Sequence, residues 1–281
     1  MTLIVEGGGF KTAFTTGVLD AFQMVGFRPF NRYVGVSGGT VATSYFVSGQ
    51  YRQCLESILH LARNPNFTAF SRVFSEQGFM DIDIIAAVAQ NDVRMDIVAA
   101  LNEARKHPVH FVATDEETGE PAYLRPTADT WLDAIVASSA LPFFTKGRHE
   151  FNGRAYIDGG CSDPLPVKWA YDQGAHEVLV IRTWPRPMRF TRSWADLLGS
   201  YYYRADPVLS RIVDYGHAVY NERADFLEAA HDDLIIRQVA PTRLLSSGTY
   251  LNSVDTIYRD YGHGLDKGLR FVARMKASGK G

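Results

Sequence analysis

A serine framed by glycines, Gly35-Val36-Ser37-Gly38-Gly39, closes a run of strand-forming residues, Arg32 to Val36, and opens a run of small residues at helical spacing, Thr40 to Ser48. The pattern G-x-S-x-G at such a boundary puts the serine on a sharp strand-to-helix turn with its hydroxyl exposed. A second glycine cluster, Gly7-Gly8-Gly9, repeats the arrangement upstream. It follows Thr2 to Glu6, which reads as a buried strand. It precedes a helical stripe of Phe14, Val18, Phe22 and Val25 that begins after Lys11, with the small Ala13, Gly17 and Ala21 beside it. Two strand–turn–helix units in succession imply a parallel or mixed sheet with helices on its faces. Only one strand precedes the serine here, whereas several normally precede it in the α/β-hydrolase arrangement, which argues against that fold.

Further along, Arg52 to Arg63 and Ile82 to Ala104 carry apolar residues at helical spacing, separated by an Asn64-Pro65-Asn66 break and an aromatic, irregular stretch from Phe67 to Gly78. Val109 to Thr114 reads as a strand, joined through a Glu116-Glu117-Thr118-Gly119 turn to Ala122 to Arg125. Asp129 is the expected cap of a helix carrying Trp131, Ile135 and Val136. Arg154 to Ile157 is a strand that ends at Asp158-Gly159-Gly160, and Val167 to Gln173 and Glu177 to Arg182 read as helix and strand. After Pro185 and Pro187, Ser193 to Glu228 and Val254 to Met275 read as helices around a last strand near Leu234 to Arg237. The expected architecture is a three-layer α/β/α fold with a mostly parallel central sheet. We expect one domain over residues 1–281, with a motif-bearing core at 1–185 and a mainly helical extension at 186–281 packed on the same sheet.

The 281 residues are 46% hydrophobic and 21% charged with a net charge of −2, so a substantial core is available and no global field favours nucleic acid. Cys54 and Cys161 form neither a disulfide framework nor a metal-ligand spacing, and are expected as reduced thiols in a cytoplasmic protein. The opening residues lack a basic n-region and a long apolar h-region, and no run approaches the ~18 apolar residues of a membrane span. Any membrane contact is therefore expected to be peripheral.

A serine hydroxyl becomes a nucleophile only when a base takes its proton and donors stabilise the oxyanion. Gly7, Gly8 and Gly9 leave backbone N–H groups unobstructed between a strand and a helix, so the turn can hold an anion. The phosphate-loop pattern fails because Phe10 precedes Lys11, and the dinucleotide fingerprint fails at Thr12. An oxyanion hole remains, to which Lys11 is a candidate contributor; the alternative is a solvated lysine at a helix start. His176, His217, His231 and His263 follow a plausible acid, but none sits in the context of a catalytic loop. Asp158 has a better context as base, at the end of Ala155-Tyr156-Ile157 with two glycines turning the chain away, although an Asp-Gly surface turn reads the same. Partial burial would raise its pKa and suit it to that task. A serine hydrolase with a distal histidine and a non-catalytic lipid- or anion-binding module both remain open on these residues.

Taken together, Gly7-Gly8-Gly9-Phe10-Lys11, Gly35-Val36-Ser37-Gly38-Gly39, Ala137-Ser138-Ser139-Ala140-Leu141-Pro142-Phe143-Phe144 and Asp158-Gly159-Gly160, in that order, resemble the patatin-like phospholipase family. The run from Asp158 to Val167 resembles the form found in bacterial members, and the likeness covers roughly residues 1–185. The resemblance implies a Ser37–Asp158 dyad without histidine, an oxyanion hole at Gly7, Gly8 and Gly9, and hydrolysis of a fatty-acyl ester of a phospholipid or related lipid through an acyl-enzyme. It implies no cofactor and no metal. Lys11 stands where many members carry arginine. A lipid substrate needs an apolar path, for which Phe67, Phe70, Phe74 and Phe79 are candidates, with Tyr201, Tyr202 and Tyr203 as an interfacial rim. Asp163 and Ser139 are expected to support the site through hydrogen bonds.

Overall fold

The computed structural model describes residues 1–69, 78–142, 144–249 and 252–278. Among the described residues eight strands form one mixed sheet: β1 (Thr2–Val5), β2 (Arg32–Val36), β3 (Val109–Asp115), β4 (Pro121–Leu124), β5 (His149–Phe151), β6 (Arg154–Asp158), β7 (Glu177–Ile181) and β8 (Ile235–Val239). Their order is β5-β6-β3-β2-β1-β7-β8, with β4 also paired to β3. The run β3-β2-β1-β7-β8 is parallel, while β4 and β6 run antiparallel to β3 and β5 antiparallel to β6. The strand expected near Leu234 does return to the same sheet, beyond β7.

Alternation along the strands sorts the core into two layers. Leu3, Val5, Tyr33, Phe111, Leu179 and Ile181 face one side, under α1 (Thr12–Met24), α2 (Gly38–Val47), α3 (Gln53–Arg63), α4 (Asp83–Ala87), α6 (Trp131–Ser138) and α10 (Val254–Ala277). Ile4, Val34, Val36, Val112, Val178 and Val180 face the other side, under α7 (Val167–Asp172) and α9 (Pro207–Glu228). α8 (Trp194–Tyr202) lies outside α9. The small residues beside the α1 stripe have a use: α10 comes so close that a Cβ on Gly17 would stand 2.1 Å from the carbonyl oxygen of Tyr261.

Three local expectations are corrected. The span Ile82 to Ala104 is two helices: α4 runs into a π-helical turn at Val88–Asp92 and the chain breaks before α5 (Ile97–Ala104). The Tyr45 hydroxyl donates to the carbonyl of Val93 at 2.6 Å, and Asp96 caps α5 by accepting from the Ala99 amide at 2.9 Å. The span Ser193 to Glu228 also divides, because Asp206 accepts from the amides of Val208 and Leu209 and Pro207 starts a new helix. The cap position of α6 is Thr130 rather than Asp129.

Candidate active site

The sheet register brings the serine and glycine turns together. Val5 pairs with Gly35, so the next residues place Gly7 beside Ser37. A Cβ on Gly7 would lie 2.8 Å from the Cβ of Ser37, so only glycine fits there. Ser37 itself holds φ 51° and ψ −129°, a left-handed conformation that favours glycine and turns the serine side chain out of the strand. The chain then turns immediately into α2, and a Cβ on Gly39 would stand 2.4 Å from the carbonyl of Val5.

Asp158 reaches this turn by an unexpected route. Residues Phe111 and Val112 of β3 pair with β2 on one side and β4 on the other. Ala113 and Thr114 pair with β4 and β6. β6 therefore occupies the same side of β3 as β2, and the two strands meet end to end. β2 stops at Val36, opposite Val112, and β6 stops at Asp158, opposite Ala113. An antiparallel strand thus carries Asp158 back toward the sheet to face Ser37.

Asp158 is 5% exposed. Burial pushes its carboxyl up to about 6, while the hydroxyl of Ser37 and the Gly160 amide, hydrogen-bonding to the charged form, pull it back down. The Gly160 bond is 2.7 Å long. The backbone behind the carboxyl is fixed too, since the Thr114 hydroxyl donates to the Asp158 carbonyl at 2.8 Å.

Ser37 and Asp158 both line a cavity with about 650 Å³ of empty space, counting its mouth. Val41, Ile58, Leu61, Phe67, Met80 and Ile85 supply much of the rest of the lining, so an acyl chain would be well solvated against them. Of the aromatic candidates for an acyl path, Phe67 lines this cavity and Phe79 is buried in the core, while Phe70 and Phe74 lie outside the described residues. The described lining holds no histidine. His176, His231 and His263 engage Asp233, Phe226 and Thr242 respectively.

The glycine loop is held from below. Glu6 accepts from the Thr183 amide at 2.5 Å, and the Thr183 hydroxyl donates to the Gly7 carbonyl at 2.6 Å. The amides of Gly8, Gly9 and Gly38 donate to no described residue, and Gly9 and Gly38 line the cavity. Lys11 is not brought to this point. Its ammonium sits 3.8 Å from the centre of the Trp184 ring and donates to Thr249 Oγ1 at 2.7 Å. Burial lowers its pKa to about 8, against the pull of Glu6.

Of the two supporting residues expected from the sequence, Asp163 is buried and tied at both oxygens, by the Tyr123 hydroxyl at 2.5 Å and Arg223 at 3.1 Å. These bonds anchor β4 and α9. Ser139 lines the cavity with its hydroxyl unpaired among the described residues. The residue that braces the serine turn is instead its neighbour Ser138, which accepts from the Ser37 amide. Adjacent serines at the end of α6 gave no signal as to which one turns inward. Thr12, a second unpaired hydroxyl in the lining, carried none either.

The sequence model of the family described as patatin-like phospholipase matches residues 3–171. A domain of unknown function, DUF6363, matches residues 207–278, which hold α9, β8 and α10. The uncharacterized protein YjjU of Escherichia coli strain K12 is 32% identical over 278 residues, covering 98% of this chain and 78% of that protein. The crystal structure of VipD from Legionella pneumophila is similar in fold, with a TM-score of 0.51 at 13% identity, covering 97% of this chain and 66% of that one. The chain thus spans slightly less than two thirds of VipD. Since the family match extends over more than half of the chain and takes in the glycine loop, the serine turn and Asp158, this protein belongs to the patatin-like phospholipase family of lipid acyl hydrolases.

Proposed function

We propose that this chain cleaves fatty-acyl esters of phospholipids, lysophospholipids or related lipids through an acyl-enzyme on Ser37, with Asp158 as general base. The observation that carries the reading is that Ser37 and a buried Asp158 share the lining of one mostly apolar cavity. A carboxyl with a pKa near 6 is ionised at neutral pH and still basic enough to take a proton in the transition state.

In the first step the Asp158 carboxylate accepts the Ser37 proton as Oγ attacks the ester carbonyl. Negative charge moves to the carbonyl oxygen, where amides of the Gly7–Gly9 loop and of Gly38 at the start of α2 are the available donors. The alcohol leaves with the proton returned by Asp158. Water then attacks the acyl-enzyme with Asp158 again as base, releasing the fatty acid and restoring Ser37. This reading requires no histidine: Asp158 shares the cavity lining with Ser37, and the described lining offers no imidazole. The chain is read as one working unit, residues 186–281 included, that meets its lipid at a membrane surface.

A fluorophosphonate probe tests the assignment. We expect labelling of the native protein and none of Ser37→Ala, together with loss of fatty-acid release from phospholipid vesicles by Asp158→Asn. Labelling that survives Ser37→Ala would remove Ser37 as nucleophile, and full turnover by Asp158→Asn would remove the dyad. A single His→Ala variant as inactive as Ser37→Ala would point to a triad instead.

A further inference from the structure

α8 is an amphipathic helix turned inside out. Its start is well fixed: Ser193 and Asp196 form a reciprocal capping box, with bonds of 2.7 and 3.2 Å. Toward α9 it presents its smallest residues. A Cβ on Gly199 would lie 2.7 Å from Val213 Cγ1, and the Ser210 hydroxyl donates to the Ser200 carbonyl at 3.0 Å. Trp194, Leu197, Leu198 and Tyr201, spaced three and four apart, form a stripe on the opposite side. Trp194 is 82%, Leu198 68% and Tyr201 66% exposed. A helix that docked for stability would turn that stripe inward. Folding leaves it outside, so its burial is left to something else.

The chemistry around the stripe selects the occupant. Residues 186–211 contain five arginines against two aspartates, in a chain whose net charge is −2. Arg186, Arg189 and Arg192 are paired with Glu228, Asp225 and Asp214 of α9. Arg204 lies 4.5 Å from the centre of the Tyr201 ring, and Arg211 donates to the Thr118 carbonyl; neither has a carboxylate partner among the described residues. Exposed tryptophan, tyrosine and leucine, with Arg204 against Tyr201 and Arg211 in the second turn of α9, suit the boundary between lipid headgroups and acyl chains, where rings are half-immersed and cations meet anionic headgroups. The position also fits. The first turn of α9 packs on Gly119, in the turn after β3, so α8 sits near the carboxyl edge of the sheet where the Ser37 turn opens.

We propose that α8 is a membrane-docking helix that inserts Trp194, Leu198 and Tyr201 into the interface of an anionic bilayer, with Arg204 and Arg211 on its headgroups. The inference stands apart from the catalytic assignment and holds whether or not Ser37 is the nucleophile.

The test uses full-length Ser37→Ala protein, so that the vesicles stay intact. Co-sedimentation is expected with mixed phosphatidylglycerol/phosphatidylcholine vesicles, weakening with added salt and weaker with phosphatidylcholine alone. Tryptophan emission should shift to shorter wavelength on binding, and Trp194→Phe should remove that shift. Leu198→Glu/Tyr201→Glu should lower vesicle affinity by about tenfold or more, a loss of about 1.4 kcal/mol, with an unchanged melting temperature. Arg204→Glu/Arg211→Glu should cut binding to the anionic vesicles alone. Absence of vesicle binding, or binding unaffected by Leu198→Glu/Tyr201→Glu, overturns the proposal. So does a dimer in sedimentation equilibrium that the same substitutions dissolve, since the stripe would then be an interface between two copies.

Discussion

Ser138 accepts a hydrogen bond from the amide of Ser37 at 2.9 Å and donates its own hydroxyl to the carbonyl of Val112 at 2.5 Å. One buried hydroxyl thereby ties the serine turn to β3, the strand against which both β2 and β6 end. A left-handed serine costs on the order of 1–3 kcal/mol and persists only where its surroundings hold it.

Ser138→Ala removes that brace and strands the Val112 carbonyl. We expect a stability loss of about 1–3 kcal/mol, read by chemical denaturation. Turnover should fall by roughly tenfold to a hundredfold as the nucleophile loses its fixed position, and fluorophosphonate labelling should slow in step.

The Asp158 carboxyl, raised to about 6 by burial, sets two pH effects of opposite sign. In the proposed role of base it must be ionised, so kcat/KM for a short-chain ester should rise about tenfold per pH unit below 6 and level off above about 7. For stability the native state holds the Asp158 proton above the pH at which the unfolded chain releases it. The cost therefore appears as pH rises from about 4 to about 6, and is complete above that window. Asp158→Asn should be inactive yet more stable at pH 8, by on the order of 2–3 kcal/mol. Thermal melts should show the gain disappearing near pH 4.

Lys11 offers a sharp negative expectation. If its ammonium stabilised the oxyanion, Lys11→Met would lose about a hundredfold to a thousandfold in kcat. With that ammonium on Trp184 and Thr249, the loss should stay below about tenfold, a ceiling set against the same scale. Steady-state kinetics with one soluble ester separates the two.

Two glycine substitutions should diverge. Gly39→Ala forces a methyl to within 2.4 Å of the Val5 carbonyl and 2.9 Å of that of Glu6, so it should cost several kcal/mol, in the range of about 3 or more, or leave the protein insoluble. Gly262→Ala on α10 meets nothing within 4 Å and should raise stability by about 0.5–1 kcal/mol. Melting temperatures measured side by side check both.

Much of the fold is legible along the chain because its punctuation is local. β2 and β7 lie where their strand-forming runs placed them, and the Asn64-Pro65-Asn66 break and the Glu116–Gly119 turn separate elements as expected. The failures arise where a distant partner decides. The break after Val93 depends on a hydroxyl from Tyr45, which no window around Val93 contains. The break at Asp206-Pro207 was written locally, as a cap followed by a first-turn proline, and the aromatic run before it obscured that signal. β5 was not anticipated because its three residues gain their pairing only from β6.

The sequence by itself determined the two turns, since glycines at 7 to 9 and around Ser37 are needed wherever backbone must pass this close to backbone. It also determined the alternating strands and the amphipathic helices that enclose them. Which groups face the serine was decided only in three dimensions. Asp158 meets Ser37 because β2 and β6 share one side of β3 and stop at adjacent register positions, a fact of pairing that no local pattern encodes. Burial at that junction, rather than residue type, raises the carboxyl toward neutrality. Ser138 rather than Ser139 braces the turn because of where α6 ends, and Lys11 turns toward Trp184 because β7 leads there from the far side of β1.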